Sequence, residues 1–231
     1  MRSAAFTTKP SRRETLWGGI YLILYISVLP LAVPIVLMAA FPRLDAAQIN
    51  FVYFTLNFAV TAVIFRKYLI RSVRDSFLVG LPTLWYALLG YVGSILLTGM
   101  VVSAILEVYP EFMSVNDNAI NTMVEQNRPL MFLGAVILAP ITEELLFRGL
   151  IFRGLYDRSP LAAHALTMVL FSVIHVSGYV GMYEAKLLLF CFLQYLAPAF
   201  CLNFVYQQSG TIISPILMHM ATNLVAMLAM R

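Results

Sequence analysis

Charge is what this sequence has least of. Of 231 residues only 11% are Asp, Glu, Lys or Arg, while 61% are hydrophobic. A soluble domain carries roughly 25% charged residues, so the deficit excludes a separate soluble domain and leaves a membrane protein. Cysteine is nearly as scarce, with Cys191 and Cys201 the two present. They lie in one apolar stretch, separated by about 15 Å of helical rise, which excludes a disulfide within that helix and leaves them as small packing residues. The net charge of +4 is no sign of a nucleic-acid partner, because the basic residues sit in short segments beside apolar runs, where they orient a membrane chain. No internal repeat or low-complexity segment is visible. The His-Glu-x-x-His signature of zinc peptidases is missing. None of Ser172, Ser177 and Ser214 has a recognisable nucleophile setting, and neither cysteine is paired by position with a histidine.

What the chain has is long apolar runs. Seven spans can be drawn, at about 16–40, 49–66, 81–106, 129–154, 160–178, 185–206 and 210–230, each long enough for a hydrocarbon core of about 30 Å. The expected fold is all-α: a polytopic transmembrane bundle of about seven to eight helices around an intramembrane polar cavity. We expect a single domain over 1–231, with N-terminal spans at 16–106 and a core at about 129–227. The run from Leu16 to Ala40 exceeds the roughly 7–15 residues of a signal peptide's apolar region and is read as an uncleaved span, with Ala39-Ala40 the place where a peptidase could cut. Pro30 and Pro34 predict a kink in it. Trp17 and Trp85, near span ends, suit the interfacial aromatic belt.

The loops alternate in charge. Arg2, Lys9, Arg12 and Arg13 oppose Glu14 in the N-terminal tail, and Arg66, Lys67, Arg71 and Arg74 oppose Asp75 in the second loop. The third loop is acidic, with Glu107, Glu111, Asp117 and Glu125 against Arg128, and the fourth is basic, with Arg153 and Arg158 against Asp157. The positive-inside rule then puts the N-terminus, second loop and fourth loop in the cytoplasm and the third loop outside. The third loop, including Ser114-Val-Asn-Asp-Asn118, is read as a plain solvated connector.

Against this background, Glu143, Glu144 and Arg148 stand inside the fourth span. Each costs at least about 2.5–3.5 kcal/mol to insert, and intramembrane ionisable residues are functional by default. Glu144 and Arg148 have the favourable acid-first i,i+4 spacing for an ion pair. Glu143 points about 100° away around the helix and is left as a separately addressed carboxylate. Taken singly, the histidines of the later spans favour an ordinary interhelical hydrogen bond. Depth connects them. The fourth and fifth spans should turn near Ser159-Pro160, with Glu143 and His175 each sixteen residues from Ser159. His219 and Asn223, on one face of the last span, begin about 14–20 Å of helical rise past Gly210. All four can meet at one level. His164, about 16 Å nearer the cytoplasm than His175, is read as interfacial. Gln194, Tyr195 and Asn203 suit either cavity lining or helix-to-helix bonding.

A carboxylate kept from bulk water makes a competent general base. Glu143 as base, His175 orienting the water, and His219 with Asn223 as oxyanion donors complete an amide hydrolysis with no nucleophilic side chain. The expectation is therefore no cofactor and no metal. Zinc held by Glu143, His175 and His219 is the alternative, with one ligand per helix.

Three motifs now stand in order: Glu143-Glu144-x-x-x-Arg148, Phe171-x-x-x-His175 and His219-x-x-x-Asn223. Together they resemble the CAAX protease and bacteriocin-processing family of intramembrane glutamic endopeptidases, over roughly residues 129–227. The resemblance implies Glu143 as base, His175 beside the attacking water, His219 and Asn223 as the oxyanion site, and Glu144 and Arg148 as supporting residues. It also implies a cavity open toward cytoplasm and lipid. Eukaryotic relatives trim prenylated proteins, while bacterial relatives are associated with peptide maturation and bacteriocin self-immunity. The short, compact chain looks bacterial, which favours a multi-pass protein of the bacterial cytoplasmic membrane acting on a membrane-associated or amphipathic peptide, with lipid as its other partner. Oligomeric state is not legible. A non-catalytic scaffold or immunity protein is the competing class. An ion-coupled transporter is weaker, since no repeat or paired interrupted helices are seen.

Overall fold

The computed structural model describes residues 6–229, and among these no β-strand forms. Arg2, counted with the basic tail, lies outside them. The helices are α1 (Arg12–Ser27), α2 (Leu29–Ala40), α3 (Ala46–Ile64), α4 (Arg66–Val79), α5 (Leu81–Val108) and α6 (Val115–Gln126), followed by the long α7 (Arg128–Tyr156), then α8 (Pro160–Val176), α9 (Ala185–Ser209) and α10 (Ile213–Ala229). Among the described residues five helices are long and apolar enough to cross a membrane, or six with α1 and α2 taken as one bent span.

The first expected span is therefore two helices, bent by 62°. The break at Val28 lies two residues before Pro30, whose missing N–H leaves the Ile26 carbonyl without its helical partner. Helix α1 starts with a capping box: Ser11 N–H donates to Glu14 Oε2 at 2.7 Å, and Glu14 N–H to Ser11 Oγ at 3.3 Å. Glu14 is no loop charge. It is buried, and its Oε1 accepts the Tyr68 N–H at 2.7 Å, placing a carboxylate on the unsatisfied first turn of α4.

Two stretches read from sequence as loops are helices. The basic second loop is α4, with Tyr68 and Ser72 buried on one side and Arg66, Lys67, Arg74, Phe77 and Leu78 exposed. Its long aliphatic stems and aromatic ring suit a helix lying along an interface. The third loop holds α6, capped by Ser114, whose Oγ accepts the Asp117 N–H at 3.4 Å, and packed through Val115, Met123 and Val124. The plain-connector reading fails because this apolar periodicity buries one face. The last helix also begins later than expected, at Ile213, and its described part of 17 residues rises about 25 Å; position 230 lies outside the described residues.

Helix α7 is the axis of the bundle. In its most apolar window 67% of residues are buried, against 17–39% for the other single-helix spans, so the other helices shield it from lipid. Its path is irregular, with π-helical segments at Phe132–Leu138 and Leu145–Phe152 on either side of the α-helical Ala139–Glu144. Helices α5, α9 and α10 close tightly beside it. A Cβ at Gly90 of α5 would come within 2.1 Å of Val205 Cγ2 and 2.7 Å of Met218 Sδ. Gly90→Leu is therefore expected to destabilise the fold by about 1–3 kcal/mol, read as a lowered unfolding midpoint in detergent. An unchanged midpoint would show that these three helices do not meet here.

Candidate active site

Between the two π-helical segments, Glu143 and Glu144 both face the interior. Glu144 and Arg148 are fully buried, and Glu143 and His219 are 8% and 7% exposed. Glu144 Oε1 accepts two hydrogen bonds, from Arg148 Nη1 at 3.0 Å and from His219 Nδ1–H at 2.9 Å. The Arg148 fork is otherwise spent on α9: Nε donates to Asn203 Oδ1 and Nη2 to the Ala199 carbonyl, both at 3.1 Å. Its Cζ also lies 4.6 Å from the Phe171 ring centroid. Asn203 is fixed in turn by donating to Thr167 Oγ1 on α8 at 2.8 Å. One guanidinium thus joins α7, α8 and α9.

Glu143 is left out of this network. Its Oε2 has no hydrogen-bond partner among the described residues. It lies 3.9 Å from His219 Nε2. Because the Nδ1 proton of His219 is committed to Glu144, Nε2 carries a proton only when the ring is an imidazolium.

Glu143, His175, His219 and Asn223 line one cavity of about 730 Å³. The convergence expected from depth along the helices is the arrangement found. His175 Nδ1 donates to the Phe171 carbonyl one turn back at 2.7 Å, so the neutral ring offers Nε2 as an acceptor. Asn223 has a second duty. The i+5 partner of Ala135 in the first π-helical segment is Pro140, which has no N–H, and the Ala139 N–H goes to Gly134. The orphaned Ala135 carbonyl takes the Asn223 Nδ2–H at 2.8 Å, satisfying a buried acceptor and leaving the carboxamide one further N–H.

The N-terminal spans, which show only hydrophobicity in sequence, supply part of the wall. Tyr25 of α1 and Tyr53 of α3 line the cavity, and the Tyr25 hydroxyl is directed at the Glu143 carboxylate. Asn116 and Asp117 of α6 also line it, with Gln194 and Tyr195 of α9. The N-cap at Ser114, followed by buried positions 115, 123 and 124, was the available signal for α6. Nothing in sequence singled out Tyr25 among twelve tyrosines. Asn203 lies outside the lining and holds Arg148 instead. His164 Nε2 meets Gln207 Oε1 at 2.8 Å and its ring packs edge-on to Phe152, an interhelical role. Both cysteines are free and buried. Among the described residues no group of three or more His, Cys, Asp or Glu side chains is placed to hold a metal ion.

A helical membrane bundle with carboxylates and histidines converging on an interior cavity is the frame of an intramembrane enzyme. Residues 125–225 match the family described as Type II CAAX prenyl endopeptidase Rce1-like. That segment holds Glu143, Glu144, Arg148, His175, His219 and Asn223, and over it the chain is similar to that endopeptidase family. No curated protein and no solved structure matches the chain.

Proposed function

We propose that the protein is an intramembrane glutamic endopeptidase that cleaves a membrane-associated peptide without a metal or other cofactor. The observation that carries this reading is Glu143, whose Oε2 has no hydrogen-bond partner among the described residues and which lines a cavity shared with two histidines and an asparagine. A water set between Glu143 and the acceptor Nε2 of His175 would have both hydrogens engaged and a lone pair aimed at the scissile carbonyl carbon. As its O–C bond forms, its proton passes to Glu143, and the carbonyl oxygen becomes an oxyanion. Nε2–H of the imidazolium form of His219 and the spare N–H of Asn223 are the donors for that oxyanion. Collapse of the intermediate breaks the C–N bond, and Glu143 returns the proton to the leaving amine. Glu144 and Arg148 support this by fixing the His219 ring and its Nδ1 tautomer.

The substrate is proposed from the cavity, whose lining is mainly apolar and includes Pro30, Pro34, Met38, Ile120 and Met123. Such a wall suits an apolar or amphipathic segment next to the cleaved bond. The family description names prenyl endopeptidases, so a prenylated cysteine is one form that segment can take and a bare amphipathic peptide the other. The basic N-terminal segment, α4 and the loop after α7 are assigned to the cytoplasmic side of a bacterial membrane.

Comparative peptidomics of cells carrying wild type and Glu143→Gln tests the proposal, with a precursor expected to accumulate in the variant. Assay of the purified protein on paired farnesylated and unmodified quenched peptides identifies the form. Turnover that survives chelator supports the metal-free mechanism, whereas loss on chelation with recovery on zinc addition refutes it. Asn223→Ala is expected to lower kcat by roughly 10²-fold with little change in KM. A loss of stability alone would reduce Asn223 to an anchor for Ala135.

A further inference from the structure

His175 closes α8 and has one polar tether, its Nδ1–H bond to Phe171. That bond alone leaves the imidazole free to pivot about its axis. Two rings restrict it: Phe171, tilted by 41° at a centroid distance of 4.5 Å, and Tyr195, stacked at 4.2 Å with 26° between planes. Tyr195 is itself unusually well held. Its hydroxyl donates to Asp117 Oδ1 at 2.5 Å and accepts from Asn116 Nδ2 at 2.9 Å. The adjacent Gln194 Nε2 donates to Asp117 Oδ2 at 3.0 Å. Both carboxylate oxygens of Asp117 are thus engaged by neighbouring residues of α9, in a fork that locks α6 to that helix. Of the two rings, Phe171 also carries the Arg148 guanidinium on its face, whereas Tyr195 is held from α6.

A phenylalanine at position 195 would fill the same space with no hydroxyl to satisfy, so packing alone does not call for the phenol. The carboxylate bond adds a restraint: it holds the ring plane against the imidazole.

We propose that Tyr195, held by Asp117, is a positioning residue for His175. This rests on the reading of His175 as the water-holding group. Helix α6, outside the spans, thereby becomes a working part of the site: it fixes the angle from which Nε2 addresses the water.

The test uses the full-length protein in detergent with 15N-labelled histidine. The chain has three histidines, so the ring signals are assigned by single substitution. Tyr195→Phe and Asp117→Asn are each expected to shift or broaden the His175 ring signals and leave those of His164 in place. Both should lower kcat by about tenfold with KM unchanged, on whichever of the farnesylated and unmodified quenched peptides the wild type cleaves. Unmoved His175 signals in both variants overturn the proposal, as does an effect confined to KM, which would make Tyr195 a substrate contact. If Tyr195→Phe folds poorly, Asp117→Asn, on the exposed turn of α6, decides. Full turnover in His175→Ala would sink the water-holding reading, while the ring signals would still report whether Tyr195 positions the imidazole.

Discussion

Glu143→Gln is expected to reduce peptide turnover by about 10²–10⁴-fold, the range a positioned general base contributes, while the protein remains folded. The two halves of that expectation have one cause. Glu143 Oε2 is buried without a hydrogen-bond partner among the described residues, so the substitution breaks no bond at that atom. Glutamine keeps the shape and cannot take the proton. The variant should therefore unfold no earlier than wild type in a detergent melt, since a group held ready for catalysis is usually held at a cost in stability. Wild-type turnover in Glu143→Gln would exclude Glu143 as the base. Lost turnover with a collapsed melt would instead mark the residue as structural, the outcome expected of a non-catalytic scaffold.

Arg148→Met should do the reverse, damaging the fold before the chemistry. The guanidinium is fully buried, and its loss leaves Glu144 charged with only His219 as partner. It also strips Asn203 and the Ala199 carbonyl of their donors. Removing one member of a buried pair costs about 3–5 kcal/mol, a large share of the 5–15 kcal/mol that holds a typical soluble domain. Combining Arg148→Met with Glu144→Gln removes both charges and should recover much of the stability. Recovery without activity would separate the support role from the base. An Arg148→Met protein with the wild-type melt would show the pair to be inessential to the fold.

The parts of this molecule that sequence exposed are those where a costly residue has few places to go. Glu143, Glu144 and Arg148 could be picked out because charge is scarce in the spans, and simple counting from Ser159 placed His175 level with Glu143. The ion pair at i,i+4 followed from spacing alone. What was hidden depended on tertiary partners. Asp117 reads as one more acidic residue in a polar loop until Tyr195 and Gln194 arrive from α9, nearly eighty residues later. Tyr25 looks like any aromatic in an apolar span, and its neighbour Glu143 is supplied by the central helix. Asn203 reads as possible cavity lining, and it takes Arg148 to show what it holds. The bend before Pro30 was legible because proline acts locally. The helix at 66–79 was not, because a dense run of positive charge masked an apolar face.

The two π-helical segments make the central helix a counted object as well as a chemical one. One residue more or less in a helix turns everything beyond it by about 100°. Removing a single residue from Phe132–Leu138 would swing the Ala135 carbonyl away from Asn223, or the carboxylates away from α10. Removing one from Leu145–Phe152 would separate Arg148 from the helix that carries Asn203. Side chains along these turns can be exchanged one at a time, and each exchange changes one contact. A deletion of one residue changes the register of the whole site, so this helix should tolerate new letters far better than a new length.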